Sequence, residues 1–318
     1  MSGSVLITGG AGFIGSHIAE AYLAGGWSVT CLDDLSRGKQ EQVPSGARFI
    51  KADVRSPEAF QLVADGGFDV VIHQAAQIDV RVSVHEPALD ASINLVGFAN
   101  ILAGVAAGKV KRVVFASSGG VVYGDPAVIP TPEPTANLPI SPYGVSKLAG
   151  EHYLRVLGTL HGFEGVALRY ANVYGPRQDP KSEAGVVSIF VSRLLAGQPL
   201  TIFGDGTQTR DYVFVRDVAR ANYLAGSGSA PVSRGDRLDV PAYNIATGRE
   251  TSVNDLAHFV GNAIGVTPVI EYADPRLGEL ARSCLDVSKA EHVLGWTPQV
   301  SFDEGMKALA GWFEGTVR

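Results

Sequence analysis

The chain is poor in cysteine, and it has neither a metal-ligand pattern nor a run of basic residues. Its two cysteines, Cys31 and Cys284, lie far apart and outside any CxxC pattern, which favours buried thiols over a disulfide or a metal pair. The seven histidines form no HxxxH or HExxH pattern, so we expect no metal centre. With 26 Lys and Arg against 32 Asp and Glu the formal charge is −6, and we expect no binding of nucleic acid or of an anionic membrane.

The first residues also lack the marks of an exported or membrane-bound chain. MSGSVLITGG has no basic segment and no apolar stretch long enough for a signal peptide or a membrane span, so we expect a cytoplasmic protein. No repeat and no low-complexity tract is visible. What remains is a globular composition, with 46% apolar residues and 38 glycines in 318 residues, enough for one large or two modest domains.

Short apolar runs alternate with helical patterns through the first half of the chain. Each run ends in a polar or glycine-rich turn, and together they are SVLITGG, SVTCLDD, ARFIKAD, DVVIHQAA, RVVFASS and GVALRYANV. Near-continuous apolar strands at this spacing predict an α/β fold, a doubly wound parallel sheet that binds ligands at the carboxyl ends of its strands. The rhythm loosens after residue 175. We therefore predict a larger, Rossmann-type domain over 1–175, to which segments near 211–226 and 240–250 return, and a smaller C-terminal α/β domain for substrate over 176–318.

A glycine-rich turn follows the first strand. In VLITGGAGFIG, Gly9, Gly12 and Gly15 would permit a tight turn, close approach of a pyrophosphate to backbone N–H groups, and close packing of the next helix. Asp33 ends the second strand, where its carboxylate can accept hydrogen bonds from ribose hydroxyls but would repel a 2′-phosphate. The larger domain should therefore bind NAD rather than NADP. Arg37, which could accommodate that phosphate, is interpreted as a loop residue.

Two further segments fit the rim of this cofactor site. Asp53 and Val54 follow the strand RFIKA and fit a contact with the adenine edge, although Asp53 could equally cap the next helix. Ala75 and Ala76, in HQAA, offer small side chains where the cofactor backbone would pass. Both segments follow strands of the predicted sheet, so we expect them at the same edge as the glycine turn.

Tyr143 and Lys147 stand four residues apart in SPYGVSK. If Ser141 caps a helix and Pro142 occupies its first turn, both side chains project from one face. An ammonium group beside a phenol favours the phenolate, which would make a tyrosine of ordinary pKa, about 10, a usable base near neutral pH. A lone YxxxK pattern more often marks an amphipathic helix, so this interpretation depends on the rest of the chain.

Six motifs, spread nearly from end to end, together resemble the extended short-chain dehydrogenase/reductase family: TGGAGFIGSH, HQAAQ, SSGGVVYG, PYGVSK, LRYANVYGPRQ and RDYVFVRDVA. Within that family the chain resembles the NAD-dependent epimerase/dehydratase branch, and there it is most similar to the UDP-glucose 4-epimerases. The resemblance implies an isomerase with tightly bound NAD and a UDP-sugar held by the C-terminal half. It also implies a homodimer, formed by pairing of two apolar helices, from about Pro87 to Ala107 and from Tyr143 to Leu160.

The resemblance further implies roles for individual residues. Tyr143 would be the acid/base at the sugar 4-hydroxyl, and Lys147 would hold the nicotinamide ribose and lower the pKa of the tyrosine. Ser118 would hydrogen-bond the same sugar oxygen, with Ser117 as the alternative. Further cofactor contacts are expected from Phe13, Ile14, Asn94 and Tyr170. Substrate contacts are expected at the pyrophosphate from Arg210, Arg276 and Asn172, at the uridine ribose from Glu279, and at the sugar from Ser283.

The type of reaction is inferred partly from a carboxylate that this chain lacks. Dehydratases of this family resemble STDEVYG and decarboxylases resemble STSEVYG where this chain has SSGGVVYG, so Gly119 and Gly120 stand where a carboxylate would. The expected reaction is therefore epimerisation at C4 of UDP-glucose or UDP-galactose through a 4-keto sugar. Ser283, where relatives restricted to plain hexoses carry a tyrosine, also predicts use of the N-acetylated pair. The alternatives are a net dehydrogenase, reductase or decarboxylase of the family, or a silent NAD-sensing protein, which the presence of Tyr143 and Lys147 disfavours.

Overall fold

A parallel sheet forms the centre of the protein. The computed structural model describes residues 3–180, 185–228, 241–275 and 280–317. Across the sheet, the seven strands are Ala242–Ile245 (β11), Glu164–Tyr170 (β6), Arg112–Ser118 (β5), Val70–His73 (β4), Ser4–Thr8 (β1), Ser28–Asp33 (β2) and Arg48–Lys51 (β3). Every neighbouring pair is parallel. The predicted doubly wound sheet is confirmed, and all six apolar runs of the sequence form strands in it.

Shorter strands and the helices complete the described part of the fold. The strands are Asn172–Tyr174 (β7), Leu200–Phe203 (β8), Thr209–Arg210 (β9), Tyr212–Phe214 (β10), Thr251–Ser252 (β12), Ile270–Ala273 (β13) and Arg282–Ser283 (β14). The helices are Phe13–Ala24 (α1), Pro57–Asp65 (α2), Val80–His85 (α3), Pro87–Ala91 (α4), Gly97–Gly108 (α5), Gly119–Val122 (α6), Pro142–His161 (α7), Val186–Leu195 (α8), Val215–Ser227 (α9), Val253–Ile264 (α10) and Phe302–Val317 (α11). A 3₁₀ turn lies at Gln40–Gln42, and π-helical turns lie at Ser92–Val96 and Ala290–Leu294.

Helices bury both faces of the sheet, because alternate residues of each strand point to opposite faces. In β1, Ile7 packs into one core with Ile18 of α1 and Val218 of α9. The preceding residue, Leu6, packs into a second core with Leu102 of α5. All five side chains are fully buried. The apolar strands are therefore covered on both sides, and the ligand-binding surface is left to the strand ends.

The carboxyl ends of the strands meet at one edge of the sheet. Thr8, Asp33, His73, Ser118 and Tyr170 are the last residues of β1, β2, β4, β5 and β6. The strand order reverses between β1 and β4, and open α/β sheets bind ligands in the crevice at such a reversal. The fold thus brings the predicted cofactor residues and the predicted serine to the same crevice.

The C-terminal half combines its own core with segments that return to the sheet. Helices α8, α10 and α11 pack with β8 in a third core that contains Leu200, Leu256 and Leu309. Strand β11 joins the sheet beside β6, and α9 packs against α1. The division of the chain into two domains at residue 175 stays a prediction.

An apolar stretch runs through α4, the π-helical turn after it, and α5. Between Pro87 and Gly108 the mean hydropathy reaches 1.5, so by length and composition this stretch could cross a membrane. However, 39% of its most apolar 18-residue window is buried inside the protein, where α5 packs against α2 and α4 packs against α7. A stretch with these contacts is equally typical of a core helix.

Candidate active site

The glycine-rich turn between β1 and α1 leaves no room for larger residues. Gly9 has a φ of +68°, and a Cβ there would lie 2.8 Å from the backbone nitrogen of Ala75. A Cβ at Gly15 would lie 2.1 Å from the Gly9 carbonyl oxygen. Gly12 is the N-cap of α1 and supplies no capping side chain. The first N–H groups of α1 therefore face the turn, which fits the pyrophosphate of a dinucleotide.

Asp33 lies beside this turn at the end of β2. Its carboxylate accepts hydrogen bonds from the backbone N–H groups of Ala11, at 3.1 Å, and Leu35, at 2.9 Å. Burial raises the pKa of Asp33, and the two backbone donors oppose that increase. Gly38 packs on the carboxylate, since a Cβ there would lie 2.7 Å from Oδ1, whereas Arg37 is exposed. A carboxylate fixed in this place can receive the hydroxyls of an adenosine ribose.

Asp53 does not cap the helix that follows it, so that alternative is wrong. Ser56 is the N-cap of α2, and its Oγ accepts a backbone N–H at 3.2 Å. The Asp53 carboxylate pairs instead with Arg55, which holds the pKa of Asp53 below its ordinary value. Val54 is buried, and its carbonyl accepts a hydrogen bond from Asn100 Nδ2 at 2.8 Å. Contact between these residues and the adenine edge stays a prediction.

The segment after β4 passes directly over the glycine turn. Ala75 donates its N–H to Thr8 Oγ1 at 3.2 Å, and Thr8 Oγ1 lies 2.9 Å from His73 Nδ1. Burial, with a smaller effect from the charge of Lys147, lowers the pKa of His73 to about 3. The imidazole is therefore neutral at physiological pH. Half-buried residues in the same region are Phe13, Ile14 and Ala76.

The catalytic candidates lie on α7, whose start is as the sequence predicts. Ser141 is the N-cap, with its Oγ accepting a backbone N–H at 3.1 Å, and Pro142 is the first helical residue. Tyr143 and Lys147 are both buried. Lys147 Nζ donates to the carbonyl of Ala116 in β5 at 2.9 Å and lies 5.6 Å from the centre of the Tyr143 ring. The pair therefore meets β5 close to its carboxyl end.

Burial has the largest effect on the ionisation of Tyr143 and Lys147. In the protein by itself, burial raises the pKa of Tyr143 above its ordinary value, and the charge of Asp90 adds to the increase. Burial also lowers the pKa of Lys147 to about 8, an effect that Asp90 opposes. Desolvation disfavours the charged form of both groups, and the lowering of the Tyr143 pKa by Lys147 stays a prediction.

The two serines at the end of β5 have different partners. Ser117 is buried, and its Oγ donates to Glu151 Oε1 at 2.5 Å. Glu151 also forms a buried ion pair with Arg169 at 2.7 Å. Ser118 is half-buried, and within the described ranges its hydroxyl has no hydrogen-bond partner. This geometry favours Ser118 over Ser117 as the serine that meets a ligand.

Predicted substrate residues approach from the C-terminal half. Strands β9 and β14 pair in parallel and place Arg210 opposite Ser283. Side chains alternate along strands, so Arg210 and Ser283 share one face of this strand pair. The next residues, Asp211 and Cys284, share the opposite face, where Cys284 Sγ lies 3.5 Å from Asp211 Oδ2. Asn172, at the start of β7, donates its backbone N–H to the Asp211 carbonyl at 2.9 Å. Two more predicted substrate residues, Arg276 and Glu279, lie outside the described residues.

Leu285 connects this face to the end of β5. A Cβ at Gly119 would lie 2.3 Å from Leu285 Cδ1, so Leu285 packs on the residue that follows Ser118. Residues two apart in an extended segment point the same way, so Ser283 lies on the Leu285 side of its segment. The predicted contact between Ser283 and the sugar stays a prediction.

The family of the protein follows from comparison with known proteins. Residues 5–246 match the model of the NAD dependent epimerase/dehydratase family. The chain belongs to that family. It is similar to the structure of UDP-glucose 4-epimerase from Thermotoga maritima with UDP-glucose, at 42% identity and a TM-score of 0.91, over 99% of this chain and 100% of that one. It is also similar to UDP-glucose 4-epimerase from Thermus thermophilus in complex with NAD, at 44% identity and a TM-score of 0.89, over 98% and 99%.

A third similar structure is named for a different sugar. UDP-N-acetylglucosamine 4-epimerase from Methanobrevibacter ruminantium, in complex with UDP-N-acetylmuramic acid, is 32% identical with a TM-score of 0.90, over 99% of each chain. The family resemblance, the enzyme class and the NAD cofactor predicted from the sequence are confirmed by these matches. The glycine turn and Asp33 fit that cofactor.

Two residues predicted to contact NAD use their side chains elsewhere. Asn94 Oδ1 accepts the Gln77 N–H at 2.9 Å, and its Nδ2 donates to the Gln77 carbonyl at 3.0 Å and to Asp90 Oδ1 at 2.9 Å. The Tyr170 hydroxyl bonds with Asn222 at 3.0 Å inside the first core. A contact between Tyr170 and NAD would therefore use its backbone, and Asn94 would act through the loop that it holds.

Sequence reasoning missed the buried polar groups behind the site, Asp90, Ser146, Glu151 and Arg169. One signal was available, since Glu151 follows Lys147 by four residues and continues the face of α7 that carries Tyr143. Asp90 gave no local signal, because its partner Ser146 is 56 residues away in sequence.

Proposed function

We propose that this enzyme epimerises UDP-hexoses at C4, interconverting UDP-glucose and UDP-galactose through a transient 4-keto sugar. The supporting observation is that Lys147, beside Tyr143, contacts the Ala116 carbonyl two residues before Ser118, at the edge of the sheet where the glycine turn also lies. The relatives that bind UDP-glucose and NAD add to this support. NAD, when bound, accepts a hydride from C4 and returns it, so that the net reaction is an isomerisation.

The residues of the chain hold the sugar and move the proton. The Ser118 hydroxyl hydrogen-bonds the sugar 4-oxygen, and Tyr143 takes the 4-hydroxyl proton and later returns it. Because burial raises the pKa of Tyr143, its phenolate needs positive charge nearby. The Lys147 ammonium would supply that charge, together with the charge of bound NAD, and Lys147 would also hold the nicotinamide ribose.

The residues after Ser118 favour epimerisation over elimination. A Cβ at Gly119 would lie 2.3 Å from Leu285 Cδ1, so any side chain there would require Leu285 to move. Gly120 is open, and the nearest atom to a Cβ there is Ser118 Oγ at 4.0 Å. Neither position supplies a carboxylate beside the sugar. Elimination of water needs such an additional acid or base, whereas oxidation and reduction at C4 need only the groups already named.

The nucleotide is held more firmly than the hexose. Arg210 and Arg276 bind the pyrophosphate, since a guanidinium group can donate two parallel hydrogen bonds to phosphate oxygens. Asn172 assists at the diphosphate, and Glu279 binds the uridine ribose. A hexose with few contacts of its own can turn after oxidation and present its other face for reduction.

The test is turnover by purified protein without added NAD. UDP-galactose should be converted to UDP-glucose, and NAD should be released only on denaturation, because an epimerase keeps its own hydride. Accumulation of reduced cofactor with each turnover, or dependence on added NAD, would indicate a net dehydrogenase instead. Failure to convert UDP-galactose by NAD-loaded protein would contradict the proposal.

Ser283 sets the size of the accepted sugar in this proposal. A serine at this position is smaller than a tyrosine and leaves room for an acetamido group. The wild type should therefore interconvert UDP-N-acetylglucosamine and UDP-N-acetylgalactosamine as well. Ser283→Tyr should depress turnover of the acetylated pair, because overfilling a pocket affects the larger ligand first, whereas Ser283→Ala should spare both pairs. A wild type inactive on acetylated sugars, or equal damage by Ser283→Tyr to both pairs, would contradict this role.

A second copy of the chain covers the outer face of α3, α4, α5 and α7. This face carries the exposed apolar side chains Val84, Val96, Val145, Val156 and Leu160. Two helices from each copy would form a four-helix bundle. Val96→Glu should dissociate the dimer in sedimentation equilibrium. Val269→Glu, at a comparably exposed valine on another surface (67% against 59%), should not. A monomeric wild type would contradict the dimer.

A further inference from the structure

Asp90 is a buried carboxylate with no ion-pair partner in the described part of the chain. It lies on α4 with 0% of its surface exposed. Its Oδ1 accepts hydrogen bonds from Gln77 Nε2 at 3.0 Å and from Asn94 Nδ2 at 2.9 Å, and its Oδ2 accepts from Ser146 Oγ at 2.6 Å. Burial of a charge without a counter-ion is costly. Three hydrogen bonds offset that cost here, whereas a neutral residue at position 90 would not have the cost at all.

Two of the three donors, Gln77 and Ser146, belong to segments that build the active site, and the third, Asn94, lies in the π-helical turn after α4. Ser146 lies on α7 directly before Lys147. Gln77 lies in the loop after β4, two residues beyond Ala75, which contacts the glycine turn. Asn94 holds that loop through both the N–H and the carbonyl of Gln77. Asp90 therefore joins the catalytic helix to the cofactor loop.

We propose that Asp90 is a positioning residue of this site, which fixes α7 against the cofactor loop and places one negative charge behind Tyr143 and Lys147. The proposal rests on the proposed epimerase function. Asp90 need not touch the substrate, since its three oxygen contacts are all to protein groups.

The charged groups around Asp90 support an electrostatic role. Tyr143 and Lys147 face it from α7, and its charge raises the pKa of both. His73, at the end of β4, is neutral and faces Lys147. Glu151, further along α7, is buried but is paired with Arg169. On the segments next to Asp90 in sequence, Asp79 pairs with Arg81, and Arg81, His85 and Glu86 are exposed.

The charge of Asp90 has opposite consequences for the two catalytic groups. It keeps Lys147 protonated in spite of burial, and it opposes formation of the Tyr143 phenolate. Removing the charge should lower the pKa of both groups. The acid limb of the pH–rate profile, which follows Tyr143, and the alkaline limb, which follows Lys147, should then both move to lower pH.

Asp90→Asn tests the charge with little change of shape. The amide oxygen can still accept from Gln77 and Asn94, and the amide NH₂ can donate to Ser146 Oγ. We expect the variant to fold and to retain NAD, with both limbs of the profile moved to lower pH by on the order of one unit. Glu86→Gln, which removes an exposed charge immediately before the same helix, should leave the profile unmoved. An unmoved profile for Asp90→Asn would overturn the electrostatic role.

Ser146→Ala tests the positioning role separately, because it removes one bond to α7 and leaves the Asp90 charge in place. We expect kcat to fall several-fold while KM and the pH profile stay close to those of the wild type. A wild-type kcat would overturn the positioning role, and this outcome can be reached even if Asp90→Asn fails to fold.

A readout without turnover separates this inference from the proposed function. The ultraviolet absorbance of phenolate is titrated in NAD-loaded protein and in its Tyr143→Phe counterpart, and the difference reports Tyr143. The transition should occur at lower pH in Asp90→Asn than in the wild type, whether or not UDP-galactose is a substrate. If the protein does not epimerise UDP-galactose, the function fails and the titration still tests Asp90. Identical transitions would refute the inference.

Discussion

Replacing each of the two serines at the end of β5 should separate stability from activity. Ser117 Oγ donates to Glu151 at 2.5 Å, and both residues are buried, with 2% and 0% of their surface exposed. Ser118 is half-buried and has no hydrogen-bond partner in the described ranges. Ser117→Ala should therefore destabilise the fold and leave the sugar contact intact, whereas Ser118→Ala should do the reverse.

The size of the stability effect follows from the bond that is lost. A hydrogen bond to a charged group contributes about 1.5–3 kcal/mol. Unfolding entropy of about 2.1 cal/mol/K per residue, over 318 residues, gives roughly 0.7 kcal/mol/K. The Tm of Ser117→Ala should therefore fall by about 2–4 °C. For Ser118→Ala we expect an unchanged Tm and a loss of kcat of about 10²-fold, typical of removing one donor to a reacting oxygen.

The assay compares Tm by circular dichroism with kcat on UDP-galactose, both measured on NAD-loaded protein well below Tm. Ser117→Ala should retain most of its kcat. The reasoning from the Glu151 contact would be refuted if Ser117→Ala kept the wild-type Tm but lost most of its activity while Ser118→Ala stayed active. That result would show that Ser117, and not Ser118, contacts the sugar.

Three other substitutions test separate parts of the site. Tyr143→Phe should retain NAD and lose at least about 10²-fold in kcat, because it removes the proton acceptor; near-normal turnover would exclude Tyr143 as the base. Asp33→Ala should narrow the difference between NAD and NADP affinity, and copurification of the wild type with NADP would contradict that role. The pKa of His73 is about 3, below its ordinary 6.5, so between these pH values the unfolded state binds one more proton than the folded state. The free energy of unfolding should therefore fall as pH drops from about 6.5 toward 3, by up to about 1.4 kcal/mol per pH unit. His73→Phe, which keeps a ring against Phe98, should reduce that pH dependence in denaturation measured at several pH values, and an unchanged dependence would contradict it.

The parts of the structure that local chemistry determines could be predicted from the sequence. The strands, the glycine turn and the start of α7 each depend on a few adjacent residues. Ser141 and Pro142 fulfil the predicted start of α7 because capping is a local hydrogen bond. Asp33 reaches the glycine turn because neighbouring parallel strands end at the same edge.

The remaining features depend on contacts between distant parts of the chain. Whether Ser117 or Ser118 faces the crevice is decided by Glu151, 34 residues away. The pKa of Tyr143 is raised rather than lowered because packing removes it from water, and the spacing of Tyr143 and Lys147 does not reveal that burial. Asp90 is recognisable as part of the site only after α4 has packed on α7.

The most direct test of the central claim is the fate of the hydrogen at C4. NAD-loaded protein is given UDP-galactose with deuterium at C4, in ordinary water and without added cofactor, and the product is analysed by mass spectrometry and NMR. If C4 is oxidised and reduced within one site, the UDP-glucose formed should keep its deuterium at C4. Loss of deuterium to solvent, or no formation of UDP-glucose, would contradict the account.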